Sequence, residues 1–223
     1  MNNSSKHCIS LTVINASFNN RVERTQFLVN KFGKYLTGEI LDVGCDQAPL
    51  KDIVKSIKYT GIDIDGKPTI KVDLERIDRL PFVDREFEVV VCCDVLEHID
   101  NLHQIFGELV RVAKKTIIIS LPNNWTNARR PIEKGRGTFA FYGLPAQKPQ
   151  DRHKWFFGLS EAWEFYNAQQ STYPIKLIEC VVNEKKRNFI VTAARKVFYP
   201  KQMCYLNRYA HTIWAIYQRE GAI

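Results

Sequence analysis

Three aspartates punctuate the first half of this 223-residue chain. Asp42 lies within Ile40-Leu41-Asp42-Val43, which runs into Gly44-Cys45-Asp46. Asp63 ends Tyr59-Thr60-Gly61-Ile62, and Asp73 follows Thr69 to Val72. Each follows or interrupts a short apolar run that reads as a strand. Carboxylates at strand ends accept hydrogen bonds from hydroxyl and amino groups, and a glycine there lets backbone approach a ligand closely. In an open parallel sheet, ligands bind at the carboxyl ends of the strands. Asp63 is then placed to accept two ribose hydroxyls and Asp73 to accept an adenine amino group. A lone strand-end aspartate is usually a turn cap; the ordered set points to a nucleoside-like ligand.

These acids need a sheet to hold them, and the pattern supplies one. Residues 18–36 read as an amphipathic helix, 40–43 as a strand, and 49–56 as a helix with Pro49 in its first turn. Strands follow at 59–64 and 69–72. Residues 88–93 form a continuous apolar strand, buried on both faces. A helix covers 99–113 and a fifth strand 116–121, stopped by Pro122. Alternation of strands and helices predicts βαβ units and a parallel sheet. Beyond it, 160–170 reads as a helix. Residues 175–182 and 189–194 read as two strands of an antiparallel hairpin, and 203–219 as a final amphipathic helix with Trp214 and Tyr217 on its apolar stripe. The whole is expected to be one domain.

Residues 122–158 break this rhythm. They mix cations, among them Arg129 and Arg130, with aromatics such as Phe141 and Trp155. A connection of that length within a compact domain is usually functional. It leaves the sheet beside the expected cleft, so it is predicted to be an acceptor-binding lid. Charge agrees: residues 1–121 carry 16 Lys and Arg against 17 Asp and Glu, residues 122–223 carry 16 against 7. The basic half calls for an anionic partner. No apolar run approaches the ~20 residues of a membrane span. The six cysteines show no metal-type spacing with one another or with histidine, so no metal site is expected.

The chain resembles the class I S-adenosylmethionine-dependent methyltransferases over about residues 38–122. The likeness rests on Glu39-Ile-Leu-Asp-Val-Gly-Cys45, Tyr59-Thr-Gly-Ile-Asp-Ile64, Val72-Asp-Leu74, Leu80-Pro-Phe82, the segment Phe87 to Ile99 with Leu96-Glu97-His98, and Ile119-Ser-Leu-Pro-Asn123. It implies an α/β, Rossmann-like, seven-stranded, mostly parallel sheet with helices on both faces and an antiparallel C-terminal hairpin strand. It implies S-adenosylmethionine as cofactor. Asp42, Gly44, Cys45 and Asp46 would line its methionine end, Asp63 its ribose, Ile64, Asp73 and Leu74 its adenine, and Cys93 and Asp94 would lie under the sulfonium. Family members usually carry further glycines where this chain has Asp46 and Ala48.

Candidates for a proton acceptor are His98, Asp94 and His153. Asn123, Asn124, Arg129, Arg130 and Trp155 are candidates for acceptor binding. The expected activity is methyl transfer to a small-molecule or lipid-linked, anionic acceptor, with a glycan or sugar precursor preferred. An RNA methyltransferase is the less favoured alternative, since no RNA-binding module is recognisable. A non-catalytic cofactor- or partner-binding protein is the other alternative. The expected location is cytoplasmic, with peripheral contact to the inner face of the membrane through the last helix.

Overall fold

The computed structural model describes residues 10–54, 58–149 and 151–221. Eight strands form one sheet: β1 Thr12–Asn15, β2 Ile40–Val43, β3 Tyr59–Asp63, β4 Ile70–Lys71, β5 Phe87–Cys93, β6 Ala113–Pro122, β7 Ile175–Glu184 and β8 Ala210–Arg219. Their order is β1-β7-β8-β6-β5-β2-β3-β4. Every pairing is parallel except those of β8, which runs antiparallel to both β6 and β7.

The seven helices are α1 Arg21–Phe32, α2 Pro49–Ile53, α3 Leu102–Val112, α4 Asn124–Lys134, α5 Leu159–Thr172, α6 Phe189–Phe198 and α7 Gln202–Tyr209, counted among the described residues. Both sheet faces are covered, which the central strands require: Val89 and Val91 of β5 pack with α1 and α2, while Val90 and Cys92 pack with α3 and α5. The period of two along a strand produces that division.

The first ten expected elements, from the helix over 18–36 to the strand over 175–182, stand close to their sequence positions. Asn20 caps α1, its side chain accepting from the Glu23 N–H. The helix expected over 49–56 is seen over Pro49–Ile53; residues 55–57 lie outside the described set. The sheet has one strand more than the expected seven, because Thr12–Asn15 adds to the edge beside β7.

Two expectations fail in the last third. Residues 189–194 are the start of α6 and not a strand; the Asn188 side chain accepts from the Ile190 N–H and begins the helix. The predicted helix 203–219 is the short α7 followed by β8. Trp214 and Tyr217 are fully buried in the sheet, on opposite faces. The run Thr212-Ile-Trp-Ala-Ile-Tyr217 is rich in β-formers, and a slot between β6 and β7 satisfies both of its backbone edges. The hairpin is therefore β7 and β8, with α6 and α7 in its connection. The amphipathic helix expected over 203–219 therefore does not form.

Candidate active site

The strand order reverses between β2 and β5, so the carboxyl ends of β2, β3 and β5 open a crevice there. Gly44 begins the turn after β2 with φ +74, and a Cβ on it would stand 2.2 Å from Val95 Cγ2. Only glycine suits this position. Asp46 and Ala48 also take positive φ, 49 and 54. The turn thus keeps a glycine-like path without the glycines usual in relatives.

Asp63 organises the crevice floor. Its Oδ2 accepts from the Asp46 N–H at 2.7 Å and its Oδ1 from the Ile64 N–H at 2.7 Å. The Asp46 carbonyl accepts in turn from the Lys67 N–H at 2.6 Å. Asp46 brings a negative charge, and Arg21 of α1 answers it at 3.4 Å while donating to the Gly44 carbonyl at 2.9 Å.

The remaining acids and thiols differ in setting. Asp42 is buried; removal from water pushes its carboxyl up to about 6, against the pull of the Tyr59 hydroxyl that donates to it at 2.8 Å. Burial pushes the Cys45 and Cys93 thiols up to about 12, so neither is a thiolate at neutral pH. Asp73 accepts from the Glu75 N–H at 3.1 Å and pairs with Arg76 at 3.2 Å. Leu74 is buried in the core, and Ile64 is exposed. Asp94, with φ 52, accepts from the Ser120 hydroxyl at 2.6 Å and forms an ion pair with Arg24 of α1. Arg24 also donates to the Cys93 carbonyl at 3.3 Å.

Beside Asp94 lies a cavity of about 630 Å³. One group of its lining residues is Asp94, Glu97, His98, Asp151 and His153. Another is cationic: Arg130 from α4, Lys185 and Arg187 from the β7–α6 link, and Arg195 from α6. Among the described residues no carboxylate lies within ion-pair distance of these four. Arg129 also lines the cavity but pairs with Glu133 at 2.7 Å.

His98 and His153, expected as proton acceptors, meet with ring centroids 4.4 Å apart. His98 Nδ1 lies 2.6 Å from Asp151 Oδ1. His153 stacks on Phe141 at 4.4 Å, and burial together with His98 lowers its pKa to about 4. It is neutral at pH 7 and a weak base. Burial raises the Glu97 carboxyl well above its ordinary range.

Three expected acceptor residues do other work. The Asn123 amide donates to the Leu206, Asn207 and Ala210 carbonyls, tying β6 to the end of α7. Asn124 donates to the Trp155 carbonyl at 3.3 Å, and the Trp155 indole donates to the Ile99 carbonyl at 2.8 Å. Neither asparagine nor Trp155 lines the cavity. Buried amides find partners wherever the chain supplies them, and strand-end position alone does not reveal which. The expected lid begins as helix α4 and becomes irregular after Gly135. Sequence reading missed Arg21, Arg24, Lys185, Arg187 and Arg195. The spacing of Arg21 and Arg24 on a predicted helix and the basic run 185–187 were the available signals.

Residues 41–119 match the methyltransferase domain family. They span β2 to β6, the elements that build the crevice. That stretch of the chain is a methyltransferase domain. No curated protein sequence matches it. Among solved structures it is similar to an S-adenosylmethionine-dependent methyltransferase from Archaeoglobus fulgidus, at 15% identity and TM-score 0.59, covering 91% of this chain and 96% of that one. A second, from Methanosarcina mazei, has 19% identity and TM-score 0.54, with 85% and 96% covered. A third is the magnesium protoporphyrin IX methyltransferase of Synechocystis with S-adenosylhomocysteine bound, at 13% identity and TM-score 0.50, with 92% and 90% covered. At these identities the likeness concerns the fold.

The methyltransferase cofactor is S-adenosylmethionine, and the crevice suits it. Gly44 leaves no side chain between backbone and ligand. Asp63 is held at its strand end by the Asp46, Ile64 and Asp65 N–H groups, and since a carboxylate offers about four lone-pair sites it can still accept from a hydroxyl. No helix among the described residues is long and apolar enough to cross a membrane.

Proposed function

We propose that this methyltransferase modifies an anionic, lipid-linked acceptor, a glycan or sugar precursor being the preferred class. The observation that carries the reading is the group of four unpaired cations, Arg130, Lys185, Arg187 and Arg195, in a cavity that also contains Asp94. Guanidinium groups bind phosphate or carboxylate oxygens bidentately, and clustered cations without carboxylate partners favour an anion. Thr126, Asn127 and Thr212 add polar groups suited to sugar hydroxyls.

Bound S-adenosylmethionine supplies an electrophilic methyl group and its own leaving group. The protein's part is alignment and exclusion of water. In this reading Asp63 holds the ribose, Ile64, Asp73 and Leu74 the adenine, and Gly44, Cys45, Asp46, Cys93 and Asp94 the methionine end, with Asp42 supporting the turn from within. Arg130, together with Lys185, Arg187 and Arg195, anchors the acceptor's anionic group. The reacting oxygen then faces Asp94, Glu97, His98 and His153.

The lipid part rests on α6. Phe189, Ile190, Val197 and Phe198 are exposed on it, and none of its side chains is buried. Lys185, Lys186, Arg187 and Lys196 flank that apolar face, and Arg195 of the same helix lines the cavity. An apolar face bordered by cations suits an anionic lipid surface, each nearby cation being worth about 1 kcal/mol there.

Two measurements test this. Inorganic pyrophosphate serves as a probe of the cavity in calorimetry. The double variant Arg130→Ala/Arg195→Ala should bind it at least tenfold more weakly while S-adenosylhomocysteine affinity stays within twofold; equal pyrophosphate binding refutes the anion site. In sedimentation with vesicles of anionic phospholipid, the wild type should co-sediment and Phe189→Asp/Phe198→Asp should remain in solution. Indifference to those two substitutions would remove the lipid part. Retention of an RNA oligomer in place of vesicles, with a steep salt dependence, would favour the RNA reading instead.

A further inference from the structure

Glu97 is the most deeply buried acid in the protein, 1% exposed, yet its Oε2 has no hydrogen-bond partner. A buried carboxylate oxygen left bare is costly and calls for an explanation. Its neighbours offer one. One ligating atom from each of Glu97, His98 and His153 lies within 4.8 Å of the others, and Glu97 Oε1 is 3.7 Å from His98 Nε2. All three residues line the cavity.

We propose that Glu97, His98 and His153 form a binding site for a divalent transition-metal cation, with its open positions facing the cavity. The chemistry of the set fits. Two imidazoles and one carboxylate suit Zn²⁺, Mn²⁺, Fe²⁺ or Co²⁺, and leave coordination positions vacant for water or an acceptor oxygen. Ligand atoms about 2.1 Å from one tetrahedral ion stand about 3.4 Å apart. Closing the cluster on an ion therefore draws its widest pair together by up to about 1.4 Å.

The surroundings support the three ligands. His98 Nδ1 faces Asp151 Oδ1 at 2.6 Å, which leaves Nε2 as the ligating atom and fixes the ring. Such carboxylate–histidine pairs are the usual outer support of a metal-bound imidazole. His153 Nδ1 faces the Tyr142 hydroxyl at 3.1 Å, and Phe141 stacks on the same ring. His153, Asp151, Tyr142 and Phe141 all belong to the expected lid, whereas Glu97 and His98 follow β5. A cation would bind the lid to the sheet. It would also set an acceptor oxygen beside Asp94, at the edge of the cofactor crevice, in the cavity that contains the four unpaired cations. A sequence search for cysteine or histidine spacing passes over this site, because 55 positions separate the two histidines.

The test needs neither cofactor nor acceptor, so it stands apart from the acceptor reading. The full chain is stripped with a chelator and titrated with Co²⁺ under visible absorption spectroscopy. The expected result is one Co²⁺ per chain with a ligand-field spectrum of nitrogen and oxygen ligands, displaced by Zn²⁺. His153→Ala and Glu97→Gln should each weaken binding at least a hundredfold, and Asp151→Asn about tenfold. Bound metal should also slow proteolysis between residues 135 and 158. Glu97 is buried, so circular dichroism checks the fold of its variant; should that variant fail to fold, His153→Ala on the lid decides alone. Absence of stoichiometric Co²⁺ binding, or binding unchanged in folded His153→Ala, overturns the proposal.

Discussion

Asp63→Ala is expected to weaken S-adenosylhomocysteine binding by roughly 2–3 kcal/mol, about 30- to 150-fold, the scale of charge-assisted hydrogen bonds to two hydroxyls. The structure gives the carboxylate a second duty. It ties the Asp46 N–H after β2 to the end of β3, so its removal frees the turn as well as the ribose site. Asp63→Asn keeps one oxygen for that backbone bond and loses the charge. Its thermal midpoint should therefore stay nearer the wild type than that of Asp63→Ala, while its ligand affinity still falls. Calorimetric titration and thermal melting of the same samples separate the two effects. Wild-type affinity in a folded Asp63→Ala protein would refute the assignment of Asp63 to the ribose.

The second large effect concerns stability. Arg24 and Asp94 form an ion pair with side chains only 14% and 20% exposed. Burial alone would favour the neutral guanidine, but the Asp94 charge and hydrogen bond, together with the neighbouring Cys93 and Glu97, outweigh it and the Arg24 pKa is raised. Removing one partner of such a pair strands the other charge. Arg24→Ala should cost about 3 kcal/mol, which for a chain of this length lowers the thermal midpoint by about 6–12 °C. Arg24→Met/Asp94→Asn should recover most of that loss, because neither charge is left unmatched and the packing volume is kept. Denaturant unfolding of the two single variants and the double variant measures the coupling. A single-variant midpoint equal to the wild type would show that the pair is solvated and of little energetic weight. The pair also holds α1 to the end of β5, where Asp94 borders both crevice and cavity, so the same variant should weaken S-adenosylhomocysteine binding.

The core of the fold was legible because its signals are local. Strands β2, β3, β5 and β6 are short apolar runs with acids or turn residues at their ends, and such runs are buried in a parallel sheet whatever surrounds them. The ordered acids Asp42, Asp63 and Asp73 follow from the same pattern, and the crevice they line needs only the βαβ rule to be placed. The C-terminal third gave the opposite outcome. Its apolar residues fit a helical stripe over 203–219 and a strand over 189–194 equally well on paper, since a short apolar run does not declare its period. The gap between β6 and β7 decided for β8, because an unfilled slot would leave two strand edges without partners.

The acceptor side was legible only as composition. An excess of nine positive charges after residue 121 is a property of composition, and no spacing rule assembles Arg130, Lys185, Arg187 and Arg195 around one cavity. The same holds for Arg21 and Arg24 against the strand ends, and for Glu97, His98 and His153. Asn123, Asn124 and Trp155 show the reverse: their types suit substrate binding, and packing gives their polar atoms to backbone instead. By itself, then, the sequence determined the sheet's central strands and the acids at their ends, all of which depend on neighbours a few residues away. Tertiary structure alone decided which cations and histidines share a cavity and which amides are consumed, because those contacts join residues tens of positions apart and form only when the sheet closes.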